Sequence, residues 1–117
     1  MILQFDKRGH LVPYNNIEIS YETFISSFVE NSPLKSTRHQ IFAKFDSFLK
    51  EFCSEIYPNF KIWINGSFVT EKTNPNDIDF LIFINYEWYQ LNEQKLDDVK
   101  NKVKKENADL DIYFLIE

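Results

Sequence analysis

Four aspartates stand in two pairs that alternate with apolar residues, Asp77-Ile78-Asp79 and Asp109-Leu110-Asp111. Each pair leads into a run suited to a β-strand, residues 80–84 in the first case and 112–116 in the second. Strand side chains alternate between faces, so both members of a pair project from one face, about 6.5–7 Å apart along the strand. Carboxylates placed there repel one another and are costly to desolvate without a compensating cation. If the two strands are neighbours, three or four carboxylates converge, and oxygen donors in that number suit Mg²⁺ or Mn²⁺. Two such ions, about 3.5–4 Å apart, can hold a nucleophile and a leaving phosphate in line. A single Asp-X-Asp carries less weight, because acidic residues often do no more than mark the solvated end of a strand.

The segment before the first pair raises its weight. Asn65-Gly66-Ser67 follows the short β-rich stretch 61–64, and a polar connection, residues 71–76, separates it from Asp77. Glycine lets the backbone approach a phosphate closely, and a serine beside it offers an amide and a hydroxyl to phosphate oxygens. Strand, Gly-Ser turn, polar loop and a strand opening on Asp-X-Asp form an arrangement with a chemical purpose.

The elements that must hold these residues are legible in the hydrophobic period. Residues 1–19 read as an irregular or short extended lead-in, punctuated by Gly9 and Pro13. Tyr21, Phe24, Ile25, Phe28 and Val29 mark one face of a helix with Ser20 as its N-cap. Ser32-Pro33 then predicts a second helix start, with Ser32 as cap and Pro33 at the first helical position. Ile41, Phe42, Phe45, Phe48, Leu49, Phe52, Cys53 and Ile56 form its apolar stripe up to Pro58, which places Cys53 in the core as a small hydrophobe. Residues 91–106 give a third helix, with Leu91, Leu96, Val99 and Val103 inside. Both faces of residues 78–84 are mainly apolar, which predicts a strand in the middle of a covered sheet. The predicted order is helix, helix, strand, strand, helix, strand.

Composition bounds the function. The chain has 117 residues, enough for one domain, and 44% hydrophobic residues make disorder an unsuitable description. A net charge of −5, from 13 basic and 18 acidic side chains, argues against a nucleic-acid coat protein, although a metal-bound nucleotide remains compatible with it. The single cysteine leaves no internal disulfide framework and suits a reducing compartment. No apolar run approaches the roughly 20 residues of a membrane span, and the amino terminus lacks a signal-peptide pattern, so a cytoplasmic protein without a membrane partner is expected.

With these residues in view, the sequence resembles the nucleotidyltransferase fold of the DNA polymerase beta superfamily. That pattern joins a Gly-Ser, a spacer, an Asp-hydrophobic-Asp pair and a later carboxylate between hydrophobics. Gly66-Ser67, Asp77-Ile78-Asp79 and Leu110-Asp111-Ile112 match it, so the resemblance covers residues 61–116. The run from Gly66 to Asp79 also looks like that of a group of small bacterial members of the superfamily, as does the lead-in from Phe5-Asp6 through Gly9 and Leu11 to Pro13. The implied fold class is α/β (α+β): a small mixed sheet of three to four strands packed by helices, two of them before the first core strand, in a single domain over residues 1–117. Within it lie the lead-in, 1–19, a helical part, 20–57, and the core strands, 61–116.

The resemblance implies a metal-dependent nucleotidyltransferase that moves a nucleoside monophosphate from a triphosphate, such as ATP, to a hydroxyl and releases pyrophosphate. Asp77, Asp79 and Asp111 would be the catalytic metal ligands for two Mg²⁺ or Mn²⁺ ions, and Gly66 and Ser67 would seat the phosphates. Asp109 is the alternative third carboxylate. Many small members carry an arginine shortly after Gly-Ser. This chain has Phe68-Val69-Thr70-Glu71-Lys72, which leaves Lys72 as a candidate phosphate ligand without the planar fork of arginine. Only one residue follows the last predicted strand, so a protein partner or an oligomer is expected to complete the site. A protein acceptor fits the negative charge better than RNA. The alternative is a binding module on the same fold, an antitoxin-like or phage-defence subunit acting through a protein partner with little or no catalysis. A third reading, in which the aspartates only end strands, requires Asp77 and Asp111 to lie on distant strands.

Overall fold

The computed structural model describes residues 2–117. Its lead-in is ordered by one side chain. The Asp6 carboxylate accepts the backbone N–H groups of Arg8 (2.8 Å) and His10 (3.0 Å) and the Tyr14 hydroxyl (2.6 Å). Gly9, at φ +83°, completes the turn in the left-handed region. A hairpin results, with β1 (Gln4–Phe5) antiparallel to β2 (Leu11–Val12). Its tip is tied to a later loop: the Gly9 carbonyl accepts the Glu71 amide at 2.9 Å, and His10 bridges to Thr70.

Helix α1 (Tyr21–Ile25) starts at its expected cap, Ser20, whose hydroxyl accepts the Thr23 amide at 3.0 Å. It runs on as a π-turn over Ser26–Glu30. The second helix departs from its predicted start. Residues 33–36 form a turn, closed by the Ser36 amide on the Pro33 carbonyl at 2.9 Å, and α2 (Arg38–Glu55) begins only after Thr37. Pro33 is thus outside the helix. Cys53 is exposed, not buried. It stands about 100° around the helix from Phe52, the residue that fills the core there.

Strand β3 (Ile62–Asn65) leads through a single 3₁₀ turn, Gly66–Val69, towards β4 (Ile78–Ile84). Helix α3 (Tyr86–Glu106), capped by the Asn85 side chain, then returns the chain to β5 (Leu110–Ile116). The helix starts earlier than its apolar period suggests. Asn92 leaves helical geometry, its side-chain amide donates to the Trp88 carbonyl at 2.9 Å, and Leu91 beside it is left exposed while Leu96 and Val103 are buried.

The sheet order is β3-β4-β5, antiparallel across the first pair and parallel across the second. This is a mixed α/β fold with two small sheets. Pairing sorts the side chains into rows. Ile64, Phe80 and Ile112 lie side by side, as do Ile62, Ile82 and Phe114, and this face meets Phe45 and Phe52 of α2 and Leu96 and Val103 of α3. Phe45 meets Phe80 edge-on with ring centres 4.9 Å apart. Each fully buried phenylalanine here contributes up to about 3 kcal/mol by apolar burial.

The opposite face carries Asn65, Asp79 and Asp111 in one row and Trp63, Leu81 and Tyr113 in the next. It is not covered as a doubly packed sheet would be. Trp63 is 40% exposed, Tyr113 47% and Leu115 42%. Only Phe83 on this face is buried, with Trp63 edge-on at 5.0 Å and the Lys61 ammonium 4.7 Å from its ring centre.

Candidate active site

The register of the parallel pair sets the centre of the site. Asp79 lies directly opposite Asp111, so neighbouring strands bring together the residues that sequence spacing singled out. Asp77 precedes β4 on the same side, and all three carboxylates are half-buried. Burial pushes the Asp79 carboxyl up to about 6, helped by its hydrogen bond with Asp111 and by the negative charges of Asp77 and Asp111. The Tyr113 hydroxyl donates to Asp111 Oδ2 at 3.2 Å, and the charge of Asp111 holds that phenol above its ordinary value.

Asp109 goes elsewhere. Its carboxylate pairs with Lys44 of α2 at 2.9 Å, and its carbonyl accepts the Ile78 amide at 3.0 Å. Of the two candidates for third carboxylate, the structure puts Asp111 against Asp79. The reading in which the aspartates sit on distant strands does not hold.

Gly66 explains how the turn comes so close. Its φ is +78°, and a Cβ on it would overlap the Asp79 carboxylate, with Asp79 Cγ only 3.2 Å away. No other residue fits both demands. The Gly-Ser turn and the Asp-X-Asp strand therefore touch. Ser67 is half-buried in the same turn, and its carbonyl accepts the Thr70 hydroxyl at 2.6 Å. Lys72 is exposed on the following loop, and among the described residues its ammonium makes no ion pair.

Phe68, the residue after Ser67, is fully buried and stacks on Phe24 with centroids 5.9 Å apart. It anchors the turn from beneath. Over its ring, at 4.8 Å, lies the guanidinium of Arg38. Arg38 is 3% exposed. It donates to the carbonyls of Phe28 (3.1 Å), Phe68 (2.6 Å), Thr70 (2.7 Å) and Lys72 (2.7 Å from Nη2). Burial lowers its pKa, yet an arginine so placed keeps its charge. Its neighbours continue the seam. Ser36 Oγ donates to the Thr73 carbonyl at 2.6 Å and Thr37 Oγ1 to the Pro75 carbonyl at 2.7 Å. The start of α2 thus clamps the loop between the Gly-Ser turn and Asp77. The scarcity of arginine in the chain, two residues in all, is the one trace of this in the sequence.

The donor set is all oxygen, which suits a hard divalent cation. Among the described residues, no three acidic, histidine or cysteine side chains are drawn tightly enough together to enclose an ion. What is assembled is a touching carboxylate pair with a third acid alongside. A groove of about 680 Å³ lies apart from it, between α2 and α3, lined by Phe48, Phe52, Val99 and Val103 with a charged rim. Among the described residues, no helix is long and apolar enough to cross a membrane. Trp88 and Tyr89 are half-buried against the core, and Trp88 meets Tyr57 edge-on at 4.8 Å.

One family model matches the chain over residues 3–117, that of a family of unknown function, DUF6932. No curated protein and no solved structure matches it.

Proposed function

The chain belongs to that family, and we propose that it is a metal-dependent nucleotidyltransferase of the DNA polymerase beta type. The observation that carries the reading is the meeting of Gly66 with the Asp79 carboxylate beside Asp111. A phosphate-seating turn and a carboxylate pair in contact are what transfer of a nucleotidyl group needs.

Asp77, Asp79 and Asp111 would hold Mg²⁺ or Mn²⁺, which supplies charge neutralisation for the triphosphate and orientation of the attacking oxygen. Gly66 gives the phosphates backbone access, Ser67 offers its hydroxyl, and Lys72 adds a mobile positive charge at the rim. Arg38 is a positioning residue. It fixes the carbonyls of the phosphate loop, and with its donors on those carbonyls it acts through the loop. Asp111 is suited to accept the proton of an attacking hydroxyl, since its Oδ2 already accepts a hydrogen bond from the Tyr113 hydroxyl.

The test is incubation with each of the four α-labelled nucleoside triphosphates and Mg²⁺ or Mn²⁺, in the presence of a cell extract. Metal-dependent transfer of label to a macromolecule, lost in Asp79→Asn, is the expected result. Absence of transfer with every nucleotide, from folded protein, counts against catalysis.

A second reading, a binding subunit on the same fold, is favoured by the exposed Trp63, Tyr113 and Leu115 next to the carboxylates. A stable complex whose formation ignores Asp79→Asn but fails with Trp63→Ala would select it.

A further inference from the structure

The hydroxyl group held at the carboxylate pair belongs to the chain itself. Tyr113 stands two residues after Asp111 on the open face of β5, and its ring folds back along the strand so that Oη reaches Asp111 Oδ2 at 3.2 Å. The side chain is half exposed, and the Lys100 ammonium sits 5.5 Å from its ring centre. Other tyrosine hydroxyls donate to other acids, Tyr14 to Asp6 and Tyr21 to Asp46. Thr70, on the phosphate loop, spends its hydroxyl on the Ser67 carbonyl.

We propose that Tyr113 is a site of self-modification, the acceptor of a nucleoside monophosphate within its own chain. This deepens the reading of the site as a nucleotidyltransferase and rests on it. The co-reactants are a nucleoside triphosphate and a divalent cation. A bond forms between Tyr113 Oη and the α-phosphorus, and the bond from that phosphorus to the bridging oxygen of the β-phosphate breaks. Pyrophosphate leaves with the electron pair of that bond. The phenolic proton passes to Asp111, which accepts its hydrogen bond beforehand. The product is a phosphodiester on an exposed tyrosine, at the edge of the face that carries Trp63 and Leu115, so modification adds a charge and a nucleoside to that surface.

The experiment combines intact mass, peptide fragmentation and calorimetry on the full chain. Wild type, Tyr113→Phe, Tyr86→Phe and Asp79→Asn are each incubated with ATP, GTP, CTP or UTP and Mg²⁺ or Mn²⁺. The expected result is one nucleoside monophosphate on Tyr113 of wild type and of Tyr86→Phe, and none on Tyr113→Phe or Asp79→Asn. In a mixture with wild type, a tagged Asp79→Asn chain stays unmodified. Metal-dependent nucleotide binding by wild type with no adduct, or with the adduct on another residue, would overturn this proposal and leave the nucleotidyltransferase reading standing. Label on the tagged Asp79→Asn chain would overturn transfer within one chain. No nucleotide binding by folded wild type would overturn both.

Discussion

Asp79 is where the cost of the site is concentrated. Its carboxyl is held up to about 6, above its value in an unfolded chain, so the ionised form is the one the fold disfavours. That penalty is absent below about pH 4, grows as pH rises through the folded value, and is complete near neutrality. Asp79→Asn removes it. At this half-exposed group solvent limits the gain to about 1 kcal/mol, a melting temperature about 4–8 °C higher at neutral pH and little changed at pH 4. Thermal melts of the two proteins across pH check this, and a higher melting point for wild type at neutral pH would contradict it. Gly66→Ala works in the other direction. A left-handed backbone and an overlap with Asp79 together cost more than about 2 kcal/mol, so the variant should melt well below wild type. These residues were legible before any coordinates, because period-two alternation put Asp77 and Asp79 on one face and glycine announced the turn. The choice of Asp111 over Asp109 was not, since both share a parity. It turned on Lys44, whose approach to Asp109 depends on how α2 crosses the end of the sheet.

The start of α2 is the element on which the site depends. Residues 36–38 hold the carbonyls of the loop from Phe68 to Pro75, and Arg38 alone satisfies three of them and the Phe28 carbonyl besides. Arg38→Met fills the space but leaves buried carbonyls without donors, at a cost of about 3 kcal/mol. Denaturant unfolding should register that loss, with Arg38→Lys recovering part of it because the charge remains and the fork does not. Stability equal to wild type in Arg38→Met would show that the clamp contributes nothing. Sequence reading missed this because a polar residue early in an amphipathic helix belongs by default to the wet face. The same limit explains Cys53 and Leu91. Each fits a helical stripe, yet the stripe that is buried depends on how the helix sits and, for Leu91, on the break at Asn92. The predicted start at Pro33 failed for a related reason, because Ser36 and Thr37 are engaged by the distant loop at Thr73–Pro75.

At the scale of the molecule, the three core strands and two long helices follow from the hydrophobic period, and the sheet rows follow from register. The one-sided packing of the sheet does not. Leu81 and Phe83 read as a second buried face, and instead Trp63, Tyr113 and Leu115 beside them stay exposed. Trp63→Ala should lower the melting temperature by about 4–8 °C, since its edge-on contact with Phe83 is worth about 1 kcal/mol, while weakening any complex formed on this face. A melting point far below that would place Trp63 in the stabilising core. The lead-in hairpin braces the loop at Gly9 and Thr70, so the fold joins its first residues to the site's support.

The central claim is that the carboxylates of β4 and β5 and the Gly-Ser turn form one nucleotide site. The most direct measurement is calorimetric titration of ATP, GTP, CTP and UTP into the full chain, with Mg²⁺ or Mn²⁺ and without, on wild type and on Asp77→Ala/Asp79→Ala. The expected result is binding of at least one triphosphate that requires the cation and is lost in the double variant. Folded wild type that binds none of them, or binds equally well without the two aspartates, would contradict it.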